Sequence, residues 1–222
     1  MIPAVKPQPA STRRMIQRLQ TIRNTSDPDL NSFQNPGRVE LNRRKLATAA
    51  NANEKFSLEM QLAVELLNSG RPEPALQQIQ DAEEFLKKTD LRFNAEIPPR
   101  LRMLKATAML RLGELENCLD NNNAASCLFP LAPAAFHRLP RGSRGAIALF
   151  SEQLQEAPQD LSARWLLNLA YMTLGEYPKK VPARWLVPPR TFQSECAFPQ
   201  FPNVASALGG RCQRPRRRLY SG

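Results

Sequence analysis

Histidine occurs once in the 222 residues, at position 137, and that scarcity closes off several chemistries. A Ser–His or Cys–His nucleophile pair would have to use His137. It lies in a proline-rich stretch between Pro130 and Pro140, with no orienting acid evident beside it, so a loop histidine is the plainer reading. Cysteine is also sparse: four occur, none as a CxxC pair, which argues against a structural zinc site. There is no GxGxxG, no GxxxxGK[ST], no HExxH and no Asp-rich calcium loop, so no cofactor or metal is expected. Long apolar runs are missing as well. The longest, Trp165 to Leu174, is interrupted by Asn168 and Thr173 and is too short to span a bilayer. The start, Met1 to Ala10, carries Pro3, Pro7 and Pro9 and no apolar core of signal-peptide length. It reads as a disordered lead with no export signal, which as written implies the cytoplasm.

Acid is in short supply relative to base. Lysine and arginine number 31 against 20 acids, a net charge of +11. Five of the arginines, Arg211, Arg214, Arg216, Arg217 and Arg218, fall in the last twelve residues, and without them the charge is +6. Much of the remaining excess lies before residue 50. The middle of the chain has mixed charges and no basic stripe, which does not favour a nucleic-acid fold.

What the chain does contain is a helical pattern that recurs around glycine. Leu62, Ala63 and Leu66 precede Gly70, and Ala75, Ile79 and Ala82 follow it. Ala106 and Met109 precede Gly113, and Cys118 and Leu119 follow. Trp165, Leu167 and Tyr171 precede Gly175, and Tyr177 follows. Small residues stand where two helices approach closely, large apolar ones fill the space a turn away, and glycine permits the bend. This is the pattern of a tetratricopeptide repeat (TPR), a pair of antiparallel helices that binds partners. The glycines are 43 and then 62 residues apart, against about 34 for a bare repeat. The second excess points to an insertion at 120–142, rich in asparagine and proline.

The expected fold is therefore all-α, with two to three TPR-like antiparallel hairpins, the long insertion and an irregular Pro-rich C-terminal strap. Residues 1–10 are the lead and 11–50 an N-terminal helical extension, with Met15, Leu19 and Ile22 on one helix face and a basic amphipathic helix at about 39–50. The repeat region spans 51–178, with helices expected at 54–69, 73–88 and 100–112, a further helix from 114, one from about 143 and one over 160–175. Prolines from 178 onward preclude long helices in the strap, 179–209.

Registering the copies on their glycines places an apolar inner face on the first helix of each. That face carries Met60, Val64 and Leu67, then Met103, Leu104 and Leu110, then Trp165, Leu169 and Met172. It either docks a partner or packs against an adjoining domain. Cys118 and Cys127 are nine apart and close a small disulfide loop in an oxidising compartment; in the cytosol both are thiols.

Three segments in fixed order carry a more specific likeness: GELENCLDNNNAASCLFP at 113–130, GSRGAIALFSEQL at 142–154, and DLSARWLLNLAYMTLGEYPKKVPARWLVPP at 160–189. FQSECAFPQFPNVASALG follows at 192–209. Together they resemble the N-terminal TPR region of bacterial proteins that continue into FG-GAP/VCBS propeller repeats and an ASPIC/UnbV domain. The resemblance covers about 10–209 and is most specific over 112–209. It implies a helical docking region beside a propeller, in proteins whose intact forms are exported, and it assigns no reaction. Cys118, Cys127 and His137 match residues of that family's insertion. After Gly209 the likeness stops, and the Arg/Pro-rich segment 210–222 reads as out of frame. Codons permitted for it, read one base later, spell VDVNDLAGGCIV, the expected start of a propeller strand. Function is thus expected to be non-catalytic docking of a protein partner or of an adjoining propeller. Two rivals remain: nucleic-acid binding through the basic termini, and an enzyme built on His137.

Overall fold

Asparagine and glycine bracket the first of the central helices and explain where it starts and stops. In the computed structural model, residues 9–89, 97–119, 123, 125–126 and 129–193 are described. Helix α3 (Ala52–Asn68) is capped by Asn51, whose side chain accepts from Glu54 N at 2.9 Å. The Glu54 carboxylate reaches back to Ala50 N at 2.8 Å, so two orphan amides at the helix start are satisfied. The helix ends at Gly70, whose φ of 74° is left-handed. Gly70 N donates to Leu67 O and Arg71 N to Leu66 O, both at 3.0 Å, the paired bonds of a Schellman end. Pro72 then opens α4 (Pro72–Lys88), where its missing N–H costs nothing.

Before this pair lie α1 (Ala10–Thr25) and α2 (Asn35–Ala47). After it come α5 (Ile97–Cys118), α6 (Arg141–Glu156) and α7 (Leu161–Thr173). Short 3-10 turns stand at Pro133–Ala135, Ala183–Trp185 and Pro189–Phe192. Among the described residues there is no strand. Packing is sequential: α2 on α3, α3 on α4, α4 on α5, α5 on α6 and α6 on α7. Helix α5 also touches α3 and α7, so alternate helices share a layer.

Helix α5 overturns one expectation. Gly113 was expected at a bend, but α5 runs through it without a break for 22 residues. Gly113 is buried because α6 crosses there. A Cβ on Gly142 would lie 2.5 Å from Met109 O and closer still to Gly113 N. A Cβ on Gly113 would lie 3.2 Å from Ser143 N and Oγ. Here glycine supplies room for two backbones to meet, not a backbone angle. The partner of α5 is therefore α6, reached across the insertion. Gly175, in contrast, does end α7 as expected, with φ 68° and the same paired bonds: Gly175 N to Met172 O at 3.0 Å and Glu176 N to Tyr171 O at 2.9 Å.

Two apolar clusters result. The first joins Val39, Phe56, Leu62, Ala63, Leu66, Ala75, Ile79, Ala82, Leu101 and Ala108. The second joins Ala106, Leu110, Ala146, Phe150, Leu154, Ala163, Leu167, Ala170 and Trp185. Ala63, Ala75 and Ala106, the small residues of the pattern, are fully buried.

The chain divides into a unit ending at Pro188 and a second from Pro189 onward. Residues 179–188, expected in the strap, thus belong with the helices. Of the second unit, only the turn at Pro189–Phe192 and Gln193 are described. The expected lead over 1–8, Cys127 and the segment 194–222 lie outside the described residues.

Candidate functional site

Helices α3 and α5 line two hollows at the surface of the helical unit. On α3, Met60 and Val64 line a hollow of about 550 Å³ with Asn53, Phe56, Ser57 and Gln61. The start of α5 supplies its other wall, Ile97 and Arg100. Arg100 also borders a second hollow, of about 410 Å³, lined by Met103, Leu104 and Thr107 of α5 with Gln153 and Asp160. Asp160 is fixed twice: it caps α7 by accepting from Ala163 N at 2.9 Å, and it accepts from Gln153 Nε2 at 3.1 Å. Glu65, at the margin of the first hollow, is held by Arg38 Nε at 2.6 Å and Asn35 Nδ2 at 3.3 Å. The walls are apolar, the rim is polar, and one cation sits between the two hollows.

Of the nine face residues read from the sequence, six reach this side or the surface. Met60, Val64, Met103 and Leu104 line the hollows. Trp165 is 42% exposed and Leu169 half-buried on α7. Leu67, Leu110 and Met172 do not belong to the face; they are 8%, 4% and 2% exposed. All three stand three residues before their glycine. At that register the side chain turns inward: Leu67 joins the first core cluster and Leu110 the second. Ile97, Arg100, Gln153 and Asp160 were missed. Ile97 falls in the gap between the helices expected at 73–88 and 100–112 and Arg100 at the start of the second, and Gln153 and Asp160 arrive through the packing of α6 and α7.

The insertion makes a separate cavity of about 480 Å³, lined by Leu67, Pro72, Glu114, Leu115, Cys118, Phe129, Leu131 and His137 among others. His137 Nδ1 stands 3.0 Å from Ser143 Oγ, and Thr173 Oγ1 stands 2.8 Å from the same oxygen. His137 N donates to Thr173 O at 2.7 Å. Burial holds the imidazole pKa below its ordinary 6.5, against the opposing pull of Glu114 and Glu116. This is a Ser–His pair by distance, but Ser143 is fully buried and its hydroxyl faces no open space. The arrangement can hold the insertion to α6 and α7. Asn117 does the same on α5, giving Nδ2 to Leu139 O at 3.0 Å and accepting from Leu139 N at 2.9 Å. Cys118 is half-buried beside this cavity; the other cysteine of the expected disulfide, Cys127, lies outside the described residues.

Many of the cations of the helical unit face acids. Arg102 pairs with Glu156 at 2.7 Å, Lys105 with Glu83 at 2.7 Å, Arg144 with Glu176 at 2.6 Å, and Arg141 with Glu116 and Glu73. No group of three or more histidine, cysteine, aspartate or glutamate side chains is placed to hold a metal among the described residues. Among them, too, no helix is long and apolar enough to cross a membrane. Compared with protein-family models, with curated proteins and with solved structures, the chain matches none.

Proposed function

We propose that this protein is a non-catalytic docking module of TPR type, which holds an apolar segment of a protein partner along the face made by α3, α5 and α7. The observation that carries this reading is the pair of hollows on either side of Arg100. They present Met60, Val64, Ile97, Met103 and Leu104 to solvent within a polar rim, as a peptide groove does. Alternation of helices into a shared layer and the glycine ends of α3 and α7 support the TPR-type reading. So does the resemblance to N-terminal TPR regions of propeller proteins, in which the docked element is a partner or the propeller itself. The buried Ser143 hydroxyl argues against catalysis by His137. The ion pairing across the helical unit argues against a nucleic-acid surface there.

The test is a selection of peptides from a random library on the folded protein, followed by binding to variants. Val64→Glu and Met103→Glu place a charge in the first and second hollow. Selected peptides should be rich in apolar residues and lose at least about tenfold in affinity to either variant, equivalent to about 1.4 kcal/mol. Peptides that bind both variants as tightly as the parent would remove the groove from consideration.

A further inference from the structure

Helix α1 differs from the other six helices in that none of its 16 residues is buried; none of the 16 is acidic either. It carries Arg13, Arg14, Arg18 and Arg23. Met15, Leu19 and Ile22 follow at spacings of four and three, which puts them on one stripe. They are 56%, 56% and 54% exposed, and Ile16 beside them is 43% exposed. At about 100° per residue, Arg18 falls on one flank of the stripe and Arg23 on the other. The exposed apolar character continues past the helix, where Leu30 and Phe33 are 88% and 92% exposed.

An occupant of this surface must satisfy both the stripe and its two flanking cations. Nucleic acid would pair with the arginines but leave Met15, Leu19 and Ile22 in water. A second copy of α1 could cover the stripe, but it would set arginines against arginines with no acid in the helix to answer them. An anionic lipid surface satisfies both. The boundary between headgroups and acyl chains accepts the stripe, and long arginine side chains reach from the flanks to the phosphates.

We propose that α1 lies in the plane of an anionic lipid surface, with Met15, Leu19 and Ile22 directed into it and Arg18 and Arg23 on its headgroups. The proposal is independent of the groove on α3, α5 and α7, and either can fail alone. It is a surface attachment and not a span, in keeping with a short helix rich in charge.

Co-sedimentation of the whole chain with vesicles tests it. Vesicles of phosphatidylglycerol mixed into phosphatidylcholine are compared with vesicles of phosphatidylcholine alone, at low and high salt. The parent should sediment with the anionic vesicles, stay in solution with the neutral ones, and release as salt rises. Arg18→Gln and Arg23→Gln should each lower partitioning roughly fivefold. Leu19→Glu should abolish it. All three positions are exposed, so circular dichroism melts should match the parent and separate lost attachment from lost folding. No sedimentation of the parent with anionic vesicles would overturn the proposal. So would undiminished binding of Leu19→Glu, because the basic tail alone would then account for the adsorption.

Discussion

The two core clusters share helix α5 yet are closed in different ways. Leu101 and Ala108 face the first, Ala106 and Leu110 the second. The first is filled wholly from helices, α2 to α5, and its central pair is joined by a three-residue turn. The second draws on α5, α6 and α7 and then on Trp185, which comes from a short turn after the helices have ended. In the position where a further helix would pack, the chain is irregular. Irregular backbone can be buried only if its polar groups find partners. Here they do. Trp185 O accepts from Arg164 Nε at 3.2 Å and from Asn168 Nδ2 at 2.9 Å. Leu186 O accepts from the Arg164 guanidinium at 2.6 Å. Val187 N donates to Asn168 Oδ1 at 3.0 Å, and Val187 O accepts from the Tyr177 hydroxyl at 2.7 Å. A buried asparagine on α7 thus does for the strap what a helix ladder does elsewhere. The lesson is that a helical layer can be closed by a proline-rich segment when one side chain anchors it and three others, Arg164, Asn168 and Tyr177, satisfy its backbone.

The largest effect should come from removing that anchor. Trp185→Ala should cost about 3–5 kcal/mol, the range for truncating a buried aromatic. Denaturant melts followed by circular dichroism would measure it. Ending the chain at Pro182 should go further, exposing α7 and producing self-association or dye binding. If Trp185→Ala melts like the parent, the second core does not depend on the strap and the contrast between the clusters disappears.

How far the sequence foretells this contrast depends on the element. Helices α3, α4, α6 and α7 were legible because apolar spacing, caps and prolines agreed on their ends. Gly70 and Gly175 were legible as turns. Gly113 was not, because the missing Cβ serves equally for a left-handed angle and for a close crossing, and composition does not separate the two. Its neighbours held a signal: Glu114, Leu115 and Glu116 are good helix formers, whereas Gly70 is followed by Arg71 and Pro72. The groove was half legible. Its α3 and α5 side chains follow from helical periodicity, but Arg100, Gln153 and Asp160 are brought to it by tertiary packing. Trp165 is exposed and Leu169 half-buried, but neither lines a hollow, while Leu67, Leu110 and Met172 were lost to the core through one shared error of register.

The two uses of glycine can be set against each other. Gly142→Ala puts a methyl into the backbone of α5 and should cost about 3 kcal/mol, the upper end of overpacking, with the α5–α6 crossing forced apart. Gly70→Ala meets no atom within 4 Å, so only its φ of 74° is strained, and it should cost about 1 kcal/mol. Thermal melts of both variants would rank them. Equal losses would mean that the crossing relaxes easily, or that the turn is more constrained than its open surroundings imply.

The smallest expected effect is a pH dependence confined to the insertion beside the second core. Burial lowers the pKa of His137 in the folded chain below the ordinary 6.5, so the folded state resists a proton that the unfolded state accepts. Above pH 6.5 both states hold neutral imidazole, and the contribution is fully present. As pH falls below that value, the unfolded state gains protons first and stability is lost until the folded pKa is reached. The loss should be small, because it comes from a single half-buried group. The measurement is the midpoint of thermal unfolding between neutral and mildly acid pH, for the parent, for His137→Gln and for Gly70→Ala. The parent and Gly70→Ala should fall together as pH drops, since the first core contains no histidine, while His137→Gln should fall less. Parallel curves for all three would place the acid sensitivity elsewhere and leave His137 a neutral spectator of the fold.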